Sequence, residues 1–300
     1  VTASAPAAFL DPALLARISD LALLARTVVD GFMHGLHRSA RMGLSLDFAE
    51  HRPYQPGDDI RRIDWRAFGR TDRYYVKEYE ADTNAGVLFA LDASASMDFG
   101  SGPLTKYDYA RRLVASLAWL SQRQGDRVGL VTFAGDVLDV VPPSTRHLQL
   151  LLHTLGARRA GGEGRLPHAL ERLARITTRS GIVVLVSDCY EDPVALGRAA
   201  DALRARRHDA IVFHVVDPAE RDLPWTVPAT FEDAESGVRL PLRPEELRPK
   251  YHRMLETHRR ELAQRLAGSG VDYTMVETDR PLDHALYAFL DRRLARSRLR

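Results

Sequence analysis

Five short apolar runs dominate what this chain can fold into: Val87-Leu88-Phe89-Ala90-Leu91, Val128 to Phe133, Ile182 to Val186, Ala210 to Val216 and Val271 to Val276. They are continuous and rich in β-branched residues, whereas a strand with one wet face would alternate apolar with polar. Such runs need cover on both faces, and the segments between them carry helical spacing that can supply it. The fold class that follows is α/β with a largely parallel central sheet. Asp136 to Val141 follows Phe133 after only Ala134-Gly135, too short a link for a parallel crossover, so it is expected as an antiparallel edge strand. Helices are expected at Tyr107 to Arg123, Thr145 to Leu155, Pro167 to Thr177, Pro193 to Arg206, Pro244 to Ala267 and Pro281 to Arg296, several of them opening on proline.

Ahead of this pattern, Val1 to Phe9 is an Ala-rich stretch without period and reads as a loose tail. Asp11-Pro12 looks like an N-cap with proline at the first helical position, and Leu14, Leu15, Ile18, Leu21, Ala22 and Ala25 then repeat at helical spacing. Arg17, Asp20, Arg26 and Asp30 interrupt that stretch about once per turn, so it predicts an amphipathic helix and not a membrane span. Leu46 to Asp82 is dense in charges and aromatics and reads as strands and turns. The expected division is an extension over 1–85 and a main domain over 86–300. The 42 basic and 40 acidic residues leave a net charge of +2, which gives no global pull toward nucleic acid or anionic lipid. Cys189 is the single cysteine and cannot form an internal disulfide; with no export signal at the start, a reducing cytoplasmic setting is the expectation.

In an open α/β sheet, ligands bind beyond the carboxyl ends of the parallel strands. The first strand ends there in Asp92-Ala93-Ser94-Ala95-Ser96, which places a carboxylate and two hydroxyls on alternate residues, and a later strand ends in Ser187-Asp188. Hard oxygen donors of this kind suit Mg²⁺ or Mn²⁺. Two anionic ligands leave such an ion able to accept a carboxylate from a partner protein. The competing explanation is that Asp92, Ser96 and Asp188 only cap turns and helices.

Strand, Asp-x-Ser-x-Ser, long helix, glycine-rich loop and a later strand ending in Asp together resemble the metal-ion-dependent adhesion site of von Willebrand factor A domains. Upstream, Arg52-Pro53-Tyr54-Gln55-Pro56-Gly57-Asp58-Asp59-Ile60-Arg61-Arg62-Ile63-Asp64-Trp65 resembles the hallmark of the bacterial family called domain of unknown function fifty-eight. The resemblance implies a von Willebrand A-like fold, a non-enzymatic adaptor role, and a pairing with a MoxR-type AAA ATPase and a client protein. Read as chemistry, Pro56-Gly57 is a turn and Asp58 or Asp59 caps a short helix with Ile60 and Ile63 on one face. Arg52, Tyr54, Asp58, Asp59, Arg62, Asp64 and Trp65 then form either a docking surface or a brace on the main domain. Many A-type domains supply a threonine from the glycine-rich loop, but this chain has Gly161-Gly162-Glu163-Gly164, so Glu163 either substitutes as a hard oxygen ligand or points to solvent and leaves water in that place.

An alternative is a phosphatase similar to the haloacid dehalogenase group, with Asp92 as nucleophile and Asp188 and Asp192 holding Mg²⁺. That chemistry wants a second carboxylate two residues after the first, and Ser94 stands there. The glycine-rich loop has neither a preceding strand nor a phosphate-cradling motif, and reads as a flexible turn. The arginines from Arg292 to Arg300 have helical spacing without interleaved aromatics, which reads as a solvated helix end.

Overall fold

The computed structural model describes residues 12–38, 50–53, 74–78, 85–177 and 179–297. At the N-terminus, two helices replace the one expected, α1 (Pro12–Leu15) and α2 (Leu21–Arg38). The break falls where Asp20 turns its side chain to the chain ahead: its Oδ1 accepts the amides of Ala22 at 2.8 Å and Leu23 at 3.1 Å. Those are the free donors of a helix's first turn, so Asp20 starts a new helix and does not interrupt an old one. β1 (Glu50–Pro53) pairs antiparallel with β2 (Tyr75–Glu78), in keeping with the strands expected there, and sets Arg52 opposite Val76. Of the hallmark residues named above, Tyr54, Asp58, Asp59, Arg62, Asp64 and Trp65 lie outside the described residues, as do the 1–9 tail and Asp11.

The main domain runs β3 (Gly86–Asp92), α3 (Lys106–Arg123), β4 (Arg127–Phe133), β5 (Val137–Ser144), α4 (Leu148–Ala157), α5 (Leu166–Ile176), β6 (Ile182–Ser187), α6 (Pro193–Ala205), β7 (Asp209–Val216), α7 (Pro218–Asp222), β8 (Ala229–Glu232), β9 (Arg239–Leu242), α8 (Pro244–Gly268), β10 (Asp272–Glu277) and α9 (Asp283–Ser297). Six strands form one sheet in the order β10-β7-β6-β3-β4-β5. The five expected from their apolar runs are parallel, and β5 returns antiparallel along β4 at the edge. β8 and β9 form a separate antiparallel hairpin that the apolar pattern did not announce.

Both faces of the sheet are covered, as continuous apolar strands require. Val87, Phe89 and Leu91 point to a core shared with α2, α3, α4 and α9, while Leu88 and Ala90 point to a second core under α5, α6 and α8. α2 belongs to the first core: Leu24, Val28 and Phe32 are buried, and the Phe32 ring meets Tyr287 of α9 edge to face at 4.7 Å. Two glycines let backbones come close. A β-carbon on Gly181 would lie 2.3 Å from the Gly86 oxygen, and one on Gly129 would lie 2.7 Å from the Val141 oxygen. From β3 the chain first builds outward through β4 and β5, then returns to place β6 on the other side of β3. The sheet therefore reverses its winding between β3 and β6, where an open sheet leaves a crevice beyond the strand ends.

Candidate metal site at the strand ends

Asp92, the last residue of β3, stands at that crevice. Its Oδ1 accepts the Ser94 amide at 2.9 Å, forming a turn that bends the chain off the sheet. Its Oδ2 accepts the Ser187 hydroxyl at 2.6 Å, from the last residue of the adjacent β6. The turn brings the Ser94 and Ser96 hydroxyl oxygens to 3.1 Å of one another. The glycine-rich loop closes one side, because Gly161 donates to the Ala93 oxygen and Ala95 donates to the Gly162 oxygen, each at 2.8 Å. Gly162 has φ +87°, a conformation that favours glycine. This loop was expected to be a flexible turn; it is instead pinned by backbone hydrogen bonds against the Asp92–Ser96 segment.

Asp188 follows directly on Ser187 and is buried with Asp92 and Ser94. Its Oδ2 accepts from the Lys106 ammonium at 2.8 Å, and the same Nζ donates to Glu220 of α7 at 2.7 Å. Lys106 is fully buried in the first turn of α3, with its Nζ 4.9 Å from the centre of the Tyr190 ring. Burial is the largest single influence on it and pulls its pKa down, but Asp188 and Glu220 together outweigh burial and hold it above the usual lysine value. Among the described residues Asp92 has no such partner. Burial first, and then the charge of neighbouring Asp188, push its carboxyl up to about 7, against the hydrogen bonds from Ser187 and Ser94.

The donor set fits a hard divalent cation. Asp188 and Glu220 share the Lys106 ammonium, and Asp92 stands beside Asp188 without a cation of its own among the described residues. A carboxyl buried without a positive neighbour otherwise holds its proton. Among the described residues no three His, Cys, Asp or Glu side chains converge as metal ligands, so the Ser94 and Ser96 hydroxyls would be needed members of any shell. Asp92, Ser94, Ser96 and Asp188 are brought together; Glu163 is not. Its carboxylate pairs with Arg165 at 2.9 Å, with both side chains 62% exposed, which is the solvent-facing one of the two alternatives for it.

The phosphatase layout is not assembled either. Asp192 caps α6, accepting the amides of Val194 at 3.3 Å and Ala195 at 3.1 Å, and so does not join Asp188 in a shared cation site. The same bonds leave Asp188 free of the capping role considered for it.

Sequence reading missed Lys106, Glu220 and Ser187. Lys106 had a signal: a cation in the first turn of a helix stands against the helix dipole, which asks for a specific partner. It missed His214 of β7 as well. Its Nδ1 lies 2.6 Å from the Tyr273 hydroxyl, and its Nε2 has no partner among the described residues. Burial lowers its pKa to about 3, outweighing the pull of Asp188, and leaves it neutral. Cys189 is buried in the second core, as expected for a small apolar residue, and its carbonyl accepts from His258 Nε2 at 2.9 Å.

Comparison with known proteins gives a family without an assigned activity. The family described as "Protein of unknown function DUF58" matches residues 50–261. An uncharacterized protein of Mycobacterium bovis and one of Mycobacterium tuberculosis are each 33% identical over 277 residues, covering 90% of this chain and 86% of theirs. Among solved structures, the conserved hypothetical protein BatB from Bacteroides thetaiotaomicron aligns with TM-score 0.46 at 18% identity, over 70% of this chain and 98% of that one. The SpRpn10 VWA domain aligns with TM-score 0.42 at 12% identity, over 67% of this chain and 92% of its own. No helix among the described residues is long and apolar enough to cross a membrane.

Proposed function

The chain belongs to the DUF58 family of proteins of unknown function, and we propose that its von Willebrand A-like domain is a non-enzymatic adaptor that docks a protein partner at the β3–β6 crevice. The observation that carries this reading is the hydrogen bond from Ser187 to Asp92, which joins the ends of β3 and β6 and sets the charge of Asp188 near Asp92, beside two hydroxyls 3.1 Å apart. Asp92, Ser94, Ser96 and Asp188 would hold Mg²⁺ or Mn²⁺, and a cation there supplies a Lewis-acidic point for a carboxylate of the partner. The chain's own groups do the rest. Ser187 and the Ser94 amide fix the direction of the Asp92 carboxylate, and Lys106 fixes that of Asp188, so neither has to be ordered when the partner arrives. The partners implied by the sequence resemblance are a MoxR-type AAA ATPase and a client protein.

The test uses two measurements. Mn²⁺ titration followed by electron paramagnetic resonance is expected to show one site in the wild type and none in Asp92→Asn. Capture of a purified MoxR-type ATPase by wild type, Asp92→Asn and Ser94→Ala, with Mg²⁺ or with chelator, is expected only for the wild type with Mg²⁺. Equal capture in all arms, from variants with unchanged melting temperatures, overturns cation-dependent docking.

A further inference from the structure

Between α7 and α8 the β8–β9 hairpin reaches the glycine-rich loop beside the Asp92–Ser96 segment. Its turn is preshaped: the Asp233 side chain accepts the Glu235 amide at 3.1 Å, its carbonyl accepts the Gly237 amide at 2.8 Å, and Gly237 takes φ +69°. From Glu232 to Leu240, Glu235 is the one residue drawn in from full exposure. Its Oε2 accepts the Gly164 amide at 2.8 Å. A β-carbon built on Gly164 would stand 3.0 Å from Glu235 Oε1 and 3.3 Å from the β-carbon of Ser94, so the Glu235 carboxylate and Ser94 both lie against this one glycine.

Two physical points give this contact meaning. A carboxylate brought beside Glu191, which also feels the charge of Asp188, is placed next to like charge, and the Gly164 amide is the donor that compensates it. The bond from Gly164 is also the only hydrogen bond between residues 229–242 and the rest of the described chain, so the hairpin is latched at this one polar point. Residues latched so lightly open at low free-energy cost.

We infer that the β8–β9 hairpin is an autoinhibitory flap, in which Glu235 covers the approach that a partner's carboxylate takes to Asp92, Ser94, Ser96 and Asp188. This rests on the docking function proposed above and adds its regulation: the chain presents to its own site the chemical group the partner must bring. Docking then requires the hairpin to leave the Gly164 amide.

The probes are Mn²⁺ and acetate, with the full chain. Mn²⁺ is loaded and confirmed by electron paramagnetic resonance, and acetate is titrated while water-proton relaxation reports displacement of bound water. In Glu235→Ala the acetate concentration for half effect is expected to fall about tenfold, as for a site freed from a flap open about a tenth of the time. Glu235→Leu, which likewise leaves the Gly164 amide without its acceptor, serves in the same way if the alanine protein does not fold. Mn²⁺ bound equally in wild type and variant, with the same acetate response, overturns the flap while leaving the cation site standing. No Mn²⁺ binding in either protein removes the cation site itself, and the flap with it.

Discussion

At the scale of single residues, Lys106 is a fully buried cation held by two carboxylates. Among the described residues its ammonium is the one cation paired with Asp188 and Glu220, both largely buried. Taking one partner from a buried ion network leaves uncompensated charge, which costs roughly 3–5 kcal/mol. Lys106→Met is therefore expected to lower the free energy of urea unfolding by an amount in that range at pH 7, and to recover part of it at pH 5, where Glu220, whose pKa burial already raises, takes up a proton. An unchanged midpoint would show that the three groups are not coupled. His214 gives a second residue-scale expectation. Its folded pKa lies near 3 and its ordinary value is 6.5, so below pH 6.5 the unfolded chain binds a proton that the folded chain refuses. Stability from this residue is full above pH 6.5 and is lost as pH falls toward 3, amounting to about 2 kcal/mol by pH 5. His214→Gln, which keeps a polar group toward Tyr273, should flatten the pH dependence of the melting temperature between pH 7.5 and 5. Asp92, Ser94, Ser96 and Asp188 were legible at this scale because strand-end position follows from the apolar runs. Lys106, Glu220 and Glu235 were not, because each reaches the crevice by a long side chain from an element whose place in space no local pattern states.

Among the elements, strands were easier to read than the pieces that decorate them. The five apolar runs became β3, β4, β6, β7 and β10 within a residue or so at each end, because burial on both faces leaves no alternation to mistake. Helices opening on proline were equally plain; α6 starts at Pro193 and α8 at Pro244. The hairpin of β8 and β9 was silent because its strands are four residues long and largely exposed, and so carry no core-facing signature. α1 and α2 were fused in the reading because the cap at Asp20 has the same composition as a charge on a helix's outer face. Asp20→Ala is expected to cost about 1 kcal/mol, the usual worth of such a cap, seen as reduced helicity on heating. Gly129 tests the join of β4 and β5: its alanine variant would press on the Val141 oxygen and on Pro143, whose nitrogen lies 2.8 Å from the added carbon. A loss of about 1–3 kcal/mol follows from such overpacking, measured by denaturant unfolding.

For the whole molecule, the doubly covered sheet was the most legible feature, and the place of the N-terminal helices was the least. α2 was expected only to pack on the body; it is part of the larger core, with Leu24, Val28 and Phe32 buried beside α3 and α9. Amphipathicity tells that a helix has an apolar face but not which surface receives it. Phe32→Ala is expected to lower stability by about 3–5 kcal/mol while heat unfolding stays a single transition, since α2 and the sheet share one interior. Two transitions, with α2 melting first, would contradict that. The outer strand β5 carries Pro142 and Pro143, both exposed, in succession. Proline has no amide hydrogen, so a foreign β-segment laid along this flank would meet a gap in the row of donors it needs. Recruitment by extending the sheet is thereby discouraged on that side, and binding is steered toward the loops above it.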